Sequence, residues 1–181
     1  MNGLRMIEGR VWKFGDSIDT DVILPSRYML LPTVEEMKAH AMEPIMPQFA
    51  GAFQPGNIIV AGRNFGCGSS REQAPAVLQA LGVGAIVAKS FSRIFFRNAV
   101  NLGIPIFTCE EFVAAASDGD QASIDINLGI ILLRSNGARY TVVPLPAFIQ
   151  EIISAGGIIP VTQKKLLERT PPGSETFQAG N

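Results

Sequence analysis

The sequence is poor in cysteine and histidine, which limits the metal chemistry that this chain can perform by itself. Its 181 residues include two cysteines, Cys67 and Cys109, and one histidine, His40. Two separate cysteines make neither a disulfide framework nor a zinc-ligand set. No group of histidine, cysteine, aspartate and glutamate residues has the spacing of metal ligands. We therefore expect this chain to bind no metal on its own.

Charged residues and long apolar runs are also scarce. Only 17% of the residues are charged, the net charge is −1, and no basic run exceeds Lys164-Lys165, so no nucleic-acid partner is expected. No apolar stretch approaches the roughly 18 residues that a membrane helix needs. Residues 1–10 lack the apolar core of a signal peptide, and a cytoplasmic location is expected. The low charge fits a well-packed core or a surface covered by a partner, and composition leaves both open.

Apolar residues make up 47% of the chain, and their spacing predicts strands that alternate with helices. Three short apolar runs predict buried strands: residues 57–61, 85–88 and 104–107. Between the first two runs, apolar residues at i, i+3, i+4 and i+7 form the stripe of a helix: Ala74, Val77, Leu78 and Leu81. A second stripe runs over residues 91–102, and Gly103 fits the position just after a helix end. This alternation predicts parallel strands joined by helical crossovers.

The N-terminal part of the chain predicts three further elements. Residues 9–14 have the composition of a first strand. Thr33 and Glu36 form a capping box, which predicts a helix over residues 33–42. The proline-rich residues 44–55 predict a loop.

The last third of the chain predicts a small sheet and one more helix. The strands and then the helix are predicted over residues 123–127, 129–133, 140–143 and 146–155. We expect one domain over residues 1–160. A polar tail, residues 161–181, follows it and is expected to be partly disordered, from residue 170 onward.

The most informative segment covers residues 62–75, GRNFGCGSSREQAP, between a predicted strand and a predicted helix. Gly66 and Gly68 can adopt positive φ and allow the backbone to approach a ligand closely. A Gly-x-Gly pattern alone is a weak motif, and the G-x-G-x-x-G spacing of dinucleotide-binding loops is absent. The segment therefore predicts a tight ligand-binding turn without indicating a nucleotide.

The second half of this segment predicts an anion site. Ser69 and Ser70 are suitable N-cap residues, so the N–H groups of residues 69–73 should lack partners inside the helix. Such a helix start attracts anions, by about 0.3–1 kcal/mol from the dipole alone. The planar guanidinium of Arg71 adds two parallel donors that suit a carboxylate.

Simpler explanations remain open for several residues. A serine before a helix is often only a cap, and an arginine in a first turn is often solvated. Cys67 is either a thiolate stabilised by the helix start, as in a thiol enzyme, or a small packing residue. Arg93 and Arg97 lie one turn apart on the second helix and repel each other. They need an acidic partner in this chain or another, unless both are only solvated.

Three segments together resemble the small subunits of the isopropylmalate and homoaconitate dehydratases, and the swivelling fourth domain of aconitase. They are residues 15–30, GDSIDTDVILPSRYML; residues 62–75; and residues 90–105, SFSRIFFRNAVNLGIP. Their order and spacing match that family over roughly residues 8–160. The resemblance implies a single α/β domain of the β/β/α swivelling type, as at the C-terminus of aconitase. It also implies a hydro-lyase that removes water from a hydroxy-dicarboxylate and adds it back at the opposite carbon.

The resemblance implies that the chain works only in a heterodimer. A large catalytic subunit is expected to hold a 4Fe–4S cluster through three cysteines, and one iron of that cluster to bind the substrate hydroxyl. This chain is expected to bind no cofactor and to be inactive alone. The two cysteines of the sequence agree with that division of labour.

The resemblance also assigns roles to three residues of the anion site. Ser69 is implied to be the catalytic base, which as an alkoxide removes a proton from the carbon beside a carboxylate. Unpaired N–H groups and the Arg71 guanidinium form the kind of environment that stabilises an alkoxide. Ser70 and Arg71 are implied to bind a substrate carboxylate.

Six further residues are expected to support the site without reacting: Asp19, Thr20, Asp21, Gly66, Cys67 and Gly68. The first three match the Asp-Thr-Asp element of the family. We expect this element to place polar groups close to the Ser69 loop, although an Asx-type turn alone would also explain it.

The loop after Arg27 contacts, in the family, the group that distinguishes substrates, and in this chain it is Tyr28-Met29-Leu30-Leu31. Homoaconitase-like members have arginine at the third position, to pair with an extra carboxylate, whereas this chain has Leu30. A carboxylate facing leucine lacks a partner and is disfavoured. We therefore expect Tyr28, Leu30 and Leu31 to contact an isopropyl group, with 2- and 3-isopropylmalate of leucine biosynthesis as substrates. The alternatives are a dimethylmalate, methylmalate or homoaconitate dehydratase, and a non-catalytic carboxylate-binding module.

Overall fold

A computed structural model describes residues 6–169 of the chain. Its strands are β1 (Met6–Lys13), β2 (Ile58–Ala61), β3 (Ala85–Ala88), β4 (Ile106–Thr108), β5 (Gln121–Asp125), β6 (Ile130–Leu133) and β7 (Arg139–Thr141). Its helices are α1 (Thr20–Ile23), α2 (Val34–Lys38), α3 (Phe49–Ala52), α4 (Gln73–Ala80), α5 (Arg93–Asn101), α6 (Glu110–Ala115), α7 (Ala147–Ser154) and α8 (Ile158–Arg169). A short 3-10 turn, Ser26–Tyr28, follows α1.

The strands of the described residues form a seven-stranded sheet in the order β4-β3-β2-β1-β5-β6-β7. Strands β1 to β4 are parallel neighbours, as the alternating pattern predicts, and β5 to β7 form an antiparallel meander. Strand β1 belongs to both halves of the sheet. Its C-terminal residues pair with β2, where Val11 faces Ile58, and its N-terminal residues pair with β5, where Met6 faces Asp125.

Alternate residues of the parallel strands point into two separate apolar cores, so β2 and β3 are unbroken apolar runs in the sequence. Ile59 and Ile86 belong to the core under α4 and α5. Ile58 and Val87 belong to the core shared with α6 and the antiparallel strands. The domain therefore has three layers, in which the parallel strands lie between the antiparallel strands and the helices α4 and α5.

Three short helices, α1, α3 and α6, lie where the sequence does not predict a helix. Helix α3 falls within the proline-rich residues 44–55, for which the predicted loop is wrong over four residues. Phe49 and Phe53 pack against Trp12, with ring centroids 5.2 and 6.0 Å from it, and this burial outweighs the weak local helix propensity. Helix α6 directly follows β4, and its Phe112 is fully buried.

Helix α8 continues across residue 160, where the sequence predicts the end of the domain. It packs on the domain, because Val161 is buried and Lys165 forms an ion pair with Glu151 of α7 (3.2 Å). The disorder predicted from residue 170 lies outside the described residues. Within residues 6–169, no helix has the length and apolar character needed to cross a membrane.

Candidate functional site

The candidate site lies at the edge of the sheet where the parallel strands end, which is where open α/β sheets commonly bind ligands. The segments that follow β1 and β2 continue side by side beyond the sheet. Backbone hydrogen bonds join them: Gly62 N–H to Gly15 O (2.9 Å), Ser17 N–H to Arg63 O (2.7 Å), Gly66 N–H to Ile18 O (2.7 Å) and Thr20 N–H to Cys67 O (2.9 Å). This ladder seats the Asp-Thr-Asp element beside residues 66–72, here called the serine loop.

The two glycines of the serine loop have φ of +75° and +88°, which confirms the positive φ predicted for Gly66 and Gly68. A Cβ at Gly66 would lie 2.1 Å from Cγ of the buried Phe95. At Gly68 the nearest atom, Thr20 Oγ1, would be 3.4 Å from the Cβ. Gly66 is therefore needed for close packing as well as for the turn, whereas Gly68 supplies only backbone freedom.

The prediction that Ser69 and Ser70 cap the following helix is wrong. The N-cap position of α4 is Glu72, so both serines lie in an irregular stretch before the helix. The cause is tertiary contact with α1. The Ser69 carbonyl accepts a hydrogen bond from Thr20 Oγ1 (3.1 Å), and Arg71 is turned toward a carboxylate of α1. These contacts hold the serine loop against α1 and out of line with α4.

The serine loop keeps the donors of an anion site although it is not helical. Within the described part of the chain, the N–H groups of residues 69–73 donate no hydrogen bond. Ser69 and Ser70 are both exposed, and neither hydroxyl contacts another polar group of residues 6–169. Successive unpaired N–H groups in a loop can bind an anion as a helix start does.

Arg71 forms a two-pronged ion pair with Asp21, from Nη1 to Oδ1 and from Nη2 to Oδ2 (3.0 Å). Ser26 donates a hydrogen bond to the same Oδ1. The bond from Arg71 and then that from Ser26 lower the pKa of the Asp21 carboxyl below its usual value. The pair therefore persists through the usual aspartate range and is lost only as pH falls through the lowered pKa. Because the Arg71 side chain is only 14% exposed, a substrate carboxylate must share the guanidinium with Asp21 or take it over.

Asp19 and Thr20 lie beside the serine loop, and neither of their side chains is bonded to the Arg71 guanidinium. Asp19 is the N-cap of α1, and its Oδ1 accepts the Val22 N–H (2.8 Å). Thr20 is buried, and its hydroxyl donates to the Ser69 carbonyl. Asp19 therefore caps α1 locally, and Thr20 forms a long-range hydrogen bond with the serine loop. Of the three residues of the Asp-Thr-Asp element, Asp21 alone contacts the Arg71 guanidinium.

The three residues expected to contact substrate differ in what they expose. Leu30 is 92% exposed, whereas Leu31 is half-buried against the core. The Tyr28 hydroxyl donates to Glu43 Oε1 (2.8 Å), and its ring stacks on His40 with centroids 3.6 Å apart. The structure therefore presents Leu30 to solvent, while Tyr28 and Leu31 anchor the loop that carries it.

Three residues that the sequence gives no reason to single out hold this loop: Ser26, His40 and Glu43. Glu43 accepts a second hydrogen bond from Arg27 (2.8 Å), and His40 Nδ1 lies 2.8 Å from its other oxygen. The bonds from Tyr28 and then His40 lower the pKa of the Glu43 carboxyl. Ser26 ties the start of the loop to α1. These contacts depend on how the chain returns after α2, and no local motif signals them.

Cys67 does not have the environment of a reactive thiolate. Burial, followed by the negative charge of Asp19, raises the pKa of the Cys67 thiol. It therefore stays protonated near neutral pH, and the thiol-enzyme alternative loses its physical basis. In residues 6–169, no three histidine, cysteine, aspartate or glutamate side chains are arranged to hold a metal ion.

The serine loop combines an exposed hydroxyl, unpaired N–H donors and a guanidinium within a few residues. Positive charge and N–H donors stabilise an alkoxide, so a serine in such surroundings deprotonates more readily and becomes available as a base. The same loop can bind a carboxylate through the Arg71 fork. Proton transfer at a carbon next to a carboxylate is the chemistry that this arrangement supports best.

Known proteins resemble this chain along most of its length. Residues 32–110, which include the serine loop, match the family model of the aconitase C-terminal domain. The chain is 49% identical over 160 residues to the 3-isopropylmalate dehydratase small subunit of Thermodesulfovibrio yellowstonii, covering 88% of this chain and 95% of that protein. It is also 49% identical over 161 residues to the protein of that name from Moorella thermoacetica, covering 89% and 97% of the two chains.

The fold resembles a solved structure as well. The crystal structure of 3-isopropylmalate dehydratase from Methanocaldococcus jannaschii matches with a TM-score of 0.83 and 37% identity, covering 90% of this chain and 97% of that one. Together with the family match, this similarity confirms the β/β/α domain of the aconitase C-terminal type that the sequence predicts.

Proposed function

The chain belongs to the family of 3-isopropylmalate dehydratase small subunits, and on this premise we propose that it serves a hydro-lyase that interconverts 2-isopropylmalate and 3-isopropylmalate in leucine biosynthesis. The enzyme removes water from the hydroxy-dicarboxylate and adds it back with the hydroxyl on the neighbouring carbon. This chain supplies the base and part of the carboxylate site.

The observation that carries the proposal is the backbone ladder that seats the serine loop beside α1. The ladder leaves the Ser69 hydroxyl exposed at the edge of the sheet and places the Arg71 guanidinium in the same loop. The proposed base and the proposed carboxylate-binding group thus belong to one loop at the edge of the sheet, which supports proton abstraction beside a carboxylate.

Ser69 is the proposed base. Its Oγ, as an alkoxide, takes the proton from the carbon beside a substrate carboxylate, and the electrons of that C–H bond form the double bond as hydroxide leaves the adjacent carbon. The unpaired N–H groups of residues 69–73 and the charge of Arg71 stabilise the alkoxide. In the addition step, Ser69 returns the proton to carbon.

Ser70 and Arg71 bind the substrate carboxylate in this proposal. The ion pair with Asp21 keeps the guanidinium in one orientation before the substrate arrives, so little side-chain entropy is lost when the carboxylate is bound. An arginine side chain without such an ion pair would lose more side-chain entropy when it binds the carboxylate.

A large subunit must complete the site. The cluster expected from the family needs three cysteines, and the two cysteines of this chain do not fit it. We assign the cluster to the large subunit and expect this chain alone to have no turnover. The word "small" in the names of the relatives supports a larger partner.

Reconstitution tests the function directly. Mixed with the 3-isopropylmalate dehydratase large subunit of the same organism, loaded with its cluster, the chain should convert 3-isopropylmalate faster than dimethylmalate, methylmalate or homoaconitate. The chain alone should convert none of them and should bind 3-isopropylmalate weakly in calorimetry. Tight binding by the free chain, with no turnover in the mixture, would instead indicate a binding module.

Leu30→Arg should change the substrate preference of the reconstituted complex. The exposed Leu30 contacts the isopropyl group in this proposal, and arginine at that position can pair with a third carboxylate. We expect the ratio of kcat/KM for 3-isopropylmalate to kcat/KM for homoaconitate to fall by about 100-fold.

Leu128→Arg is the matched control for that change. Leu128 is also an exposed leucine, 63% accessible, but it lies in the turn between β5 and β6, on the antiparallel half of the sheet. Its substitution should leave the ratio of the two kcat/KM values unchanged. If the ratio of the two kcat/KM values is the same in both variants, Leu30 does not contact the substrate. The assignment of the reaction would be unaffected.

A further inference from the structure

An open apolar groove lies between α5 and the pair α7 and α8, with a volume of about 680 Å³. Its apolar walls are formed by Phe91, Phe96, Val100, Phe148, Ile149 and Ile152. Phe148 is 62% exposed, and Ile158 at the start of α8 is 37% exposed. Large apolar side chains left open to water and grouped in this way are typical of an interaction surface.

Two cations line the same groove and are unfavourably placed in the free chain. Arg93 is the first residue of α5, where the helix dipole disfavours positive charge, and Arg97 one turn later repels it. Neither has an acidic partner among residues 6–169, although Arg71 and Arg134 are ion-paired. An apolar groove flanked by two unpaired arginines is complementary to an apolar segment that carries carboxylates.

Two residues of the groove contact the segment that leads into the candidate site. Ser90 lines the groove, and its Oγ accepts the Asn64 N–H (2.8 Å). Phe91 packs edge-on against Phe65, with ring centroids 6.1 Å apart. Asn64 and Phe65 lead directly into the serine loop. The contacts of Ser90 and Phe91 thus join one wall of the groove to the residues that precede the serine loop.

We propose that this groove is a docking surface for the large subunit, which seats there an apolar segment whose acidic side chains pair with Arg93 and Arg97. The inference rests on the proposed function, because that function requires a large subunit. A protein fits better than a small molecule because the exposed apolar surface extends beyond the groove, to Ile159 (67% exposed) on α8.

The test measures the Kd of the complex between the full chain and the large subunit of the same organism. We expect Arg93→Glu/Arg97→Glu to raise the Kd by about 100-fold or more, because both ion pairs are replaced by repulsion. The Tm of the free variant should equal or exceed that of the wild type by about 1–2 °C, because a carboxylate at the start of α5 suits the dipole. A purely structural pair of arginines would not combine weaker assembly with unchanged or higher stability.

Two further variants sharpen the measurement. Arg139→Glu is the charge control, because Arg139 is exposed on the edge strand β7 and also has no acidic partner in the described residues. It should leave the Kd unchanged. Phe148→Ser tests the apolar wall and should raise the Kd by about 10-fold, because its exposed ring contributes little to the fold.

Each outcome decides between the alternatives. An unchanged Kd in both groove variants overturns the docking surface, even if the wild-type complex is active. Self-association of the free chain that is lost in Arg93→Glu/Arg97→Glu, with the Kd for the large subunit unchanged, assigns the groove to a second copy and also overturns it. If the wild-type complex forms through the groove and yet fails to convert 3-isopropylmalate, that result supports the docking surface and contradicts the proposed function.

Discussion

Ser69→Ala is expected to lower kcat for 3-isopropylmalate in the reconstituted complex by about 10³-fold, the typical contribution of a positioned base. Only the rate of the proton-transfer step should fall. The Ser69 hydroxyl is exposed and contacts no polar group of residues 6–169, so its loss should leave the Tm and the Kd for the large subunit unchanged. Steady-state kinetics, thermal unfolding and a binding titration measure the three quantities.

Ser70→Ala is the control, because it removes the same atom from the neighbouring exposed residue. In the proposed site Ser70 binds the substrate carboxylate, so its loss should appear mainly as a rise in KM of about 10-fold. The separation of a kcat effect at Ser69 from a KM effect at Ser70 is the signature of the mechanism. Near-normal kcat in Ser69→Ala, or equal kcat losses in both variants, would place the base elsewhere.

The sequence predicts the parallel half of the fold because its signals are local. Residues 57–61 and 85–88 are apolar runs of strand length, and the strands β2 and β3 lie there. The N-cap also forms as predicted, but only half of the capping box does: Thr33 Oγ1 accepts the Glu36 N–H (3.2 Å), while the Glu36 carboxylate accepts from the Thr33 hydroxyl (3.0 Å) in place of its N–H. In each case the physical cause is contained within a few consecutive residues.

The sequence does not predict the pairing that defines the serine loop. Asp21 and Arg71 are far apart in the chain, and nothing local to either residue indicates the ion pair between them. That pair and the bond from Thr20 to the Ser69 carbonyl draw the loop away from α4, which begins only after Glu72. Local capping rules therefore place the start of α4 at the serines, whereas tertiary contacts place it later.

The displaced helix start changes the physical basis of the anion site. A helix start would act through the dipole of α4, which lies directly behind the serines in the predicted arrangement. In the structure, the N–H groups of residues 69–72 belong to a loop held by Asp21 and Thr20, and only that of Gln73 belongs to α4. The residue types that favour an anion are unchanged, so the anion site stays a prediction, whereas its predicted geometry is wrong.

Gly66→Ala is expected to lower the free energy of unfolding by about 3 kcal/mol. About 1 kcal/mol comes from a side chain at φ +75°, and the rest comes from the clash of the new Cβ with the buried Phe95, whose Cβ and Cγ would lie 2.4 and 2.1 Å away. The ring cannot retreat easily, because Phe95 packs edge-on against Phe65 with centroids 5.2 Å apart.

Gly68→Ala separates the two contributions. Gly68 has a similar φ of +88°, but the new Cβ would have its nearest neighbour, Thr20 Oγ1, at 3.4 Å, so only the conformational cost of about 1 kcal/mol should remain. Urea unfolding of the free chain measures both variants against the wild type, and equal m-values ensure that the comparison reports stability alone. The difference between the variants is then the packing cost at Gly66. Equal destabilisation would mean that the serine loop can move away from α5, and that Phe95 does not fix its position.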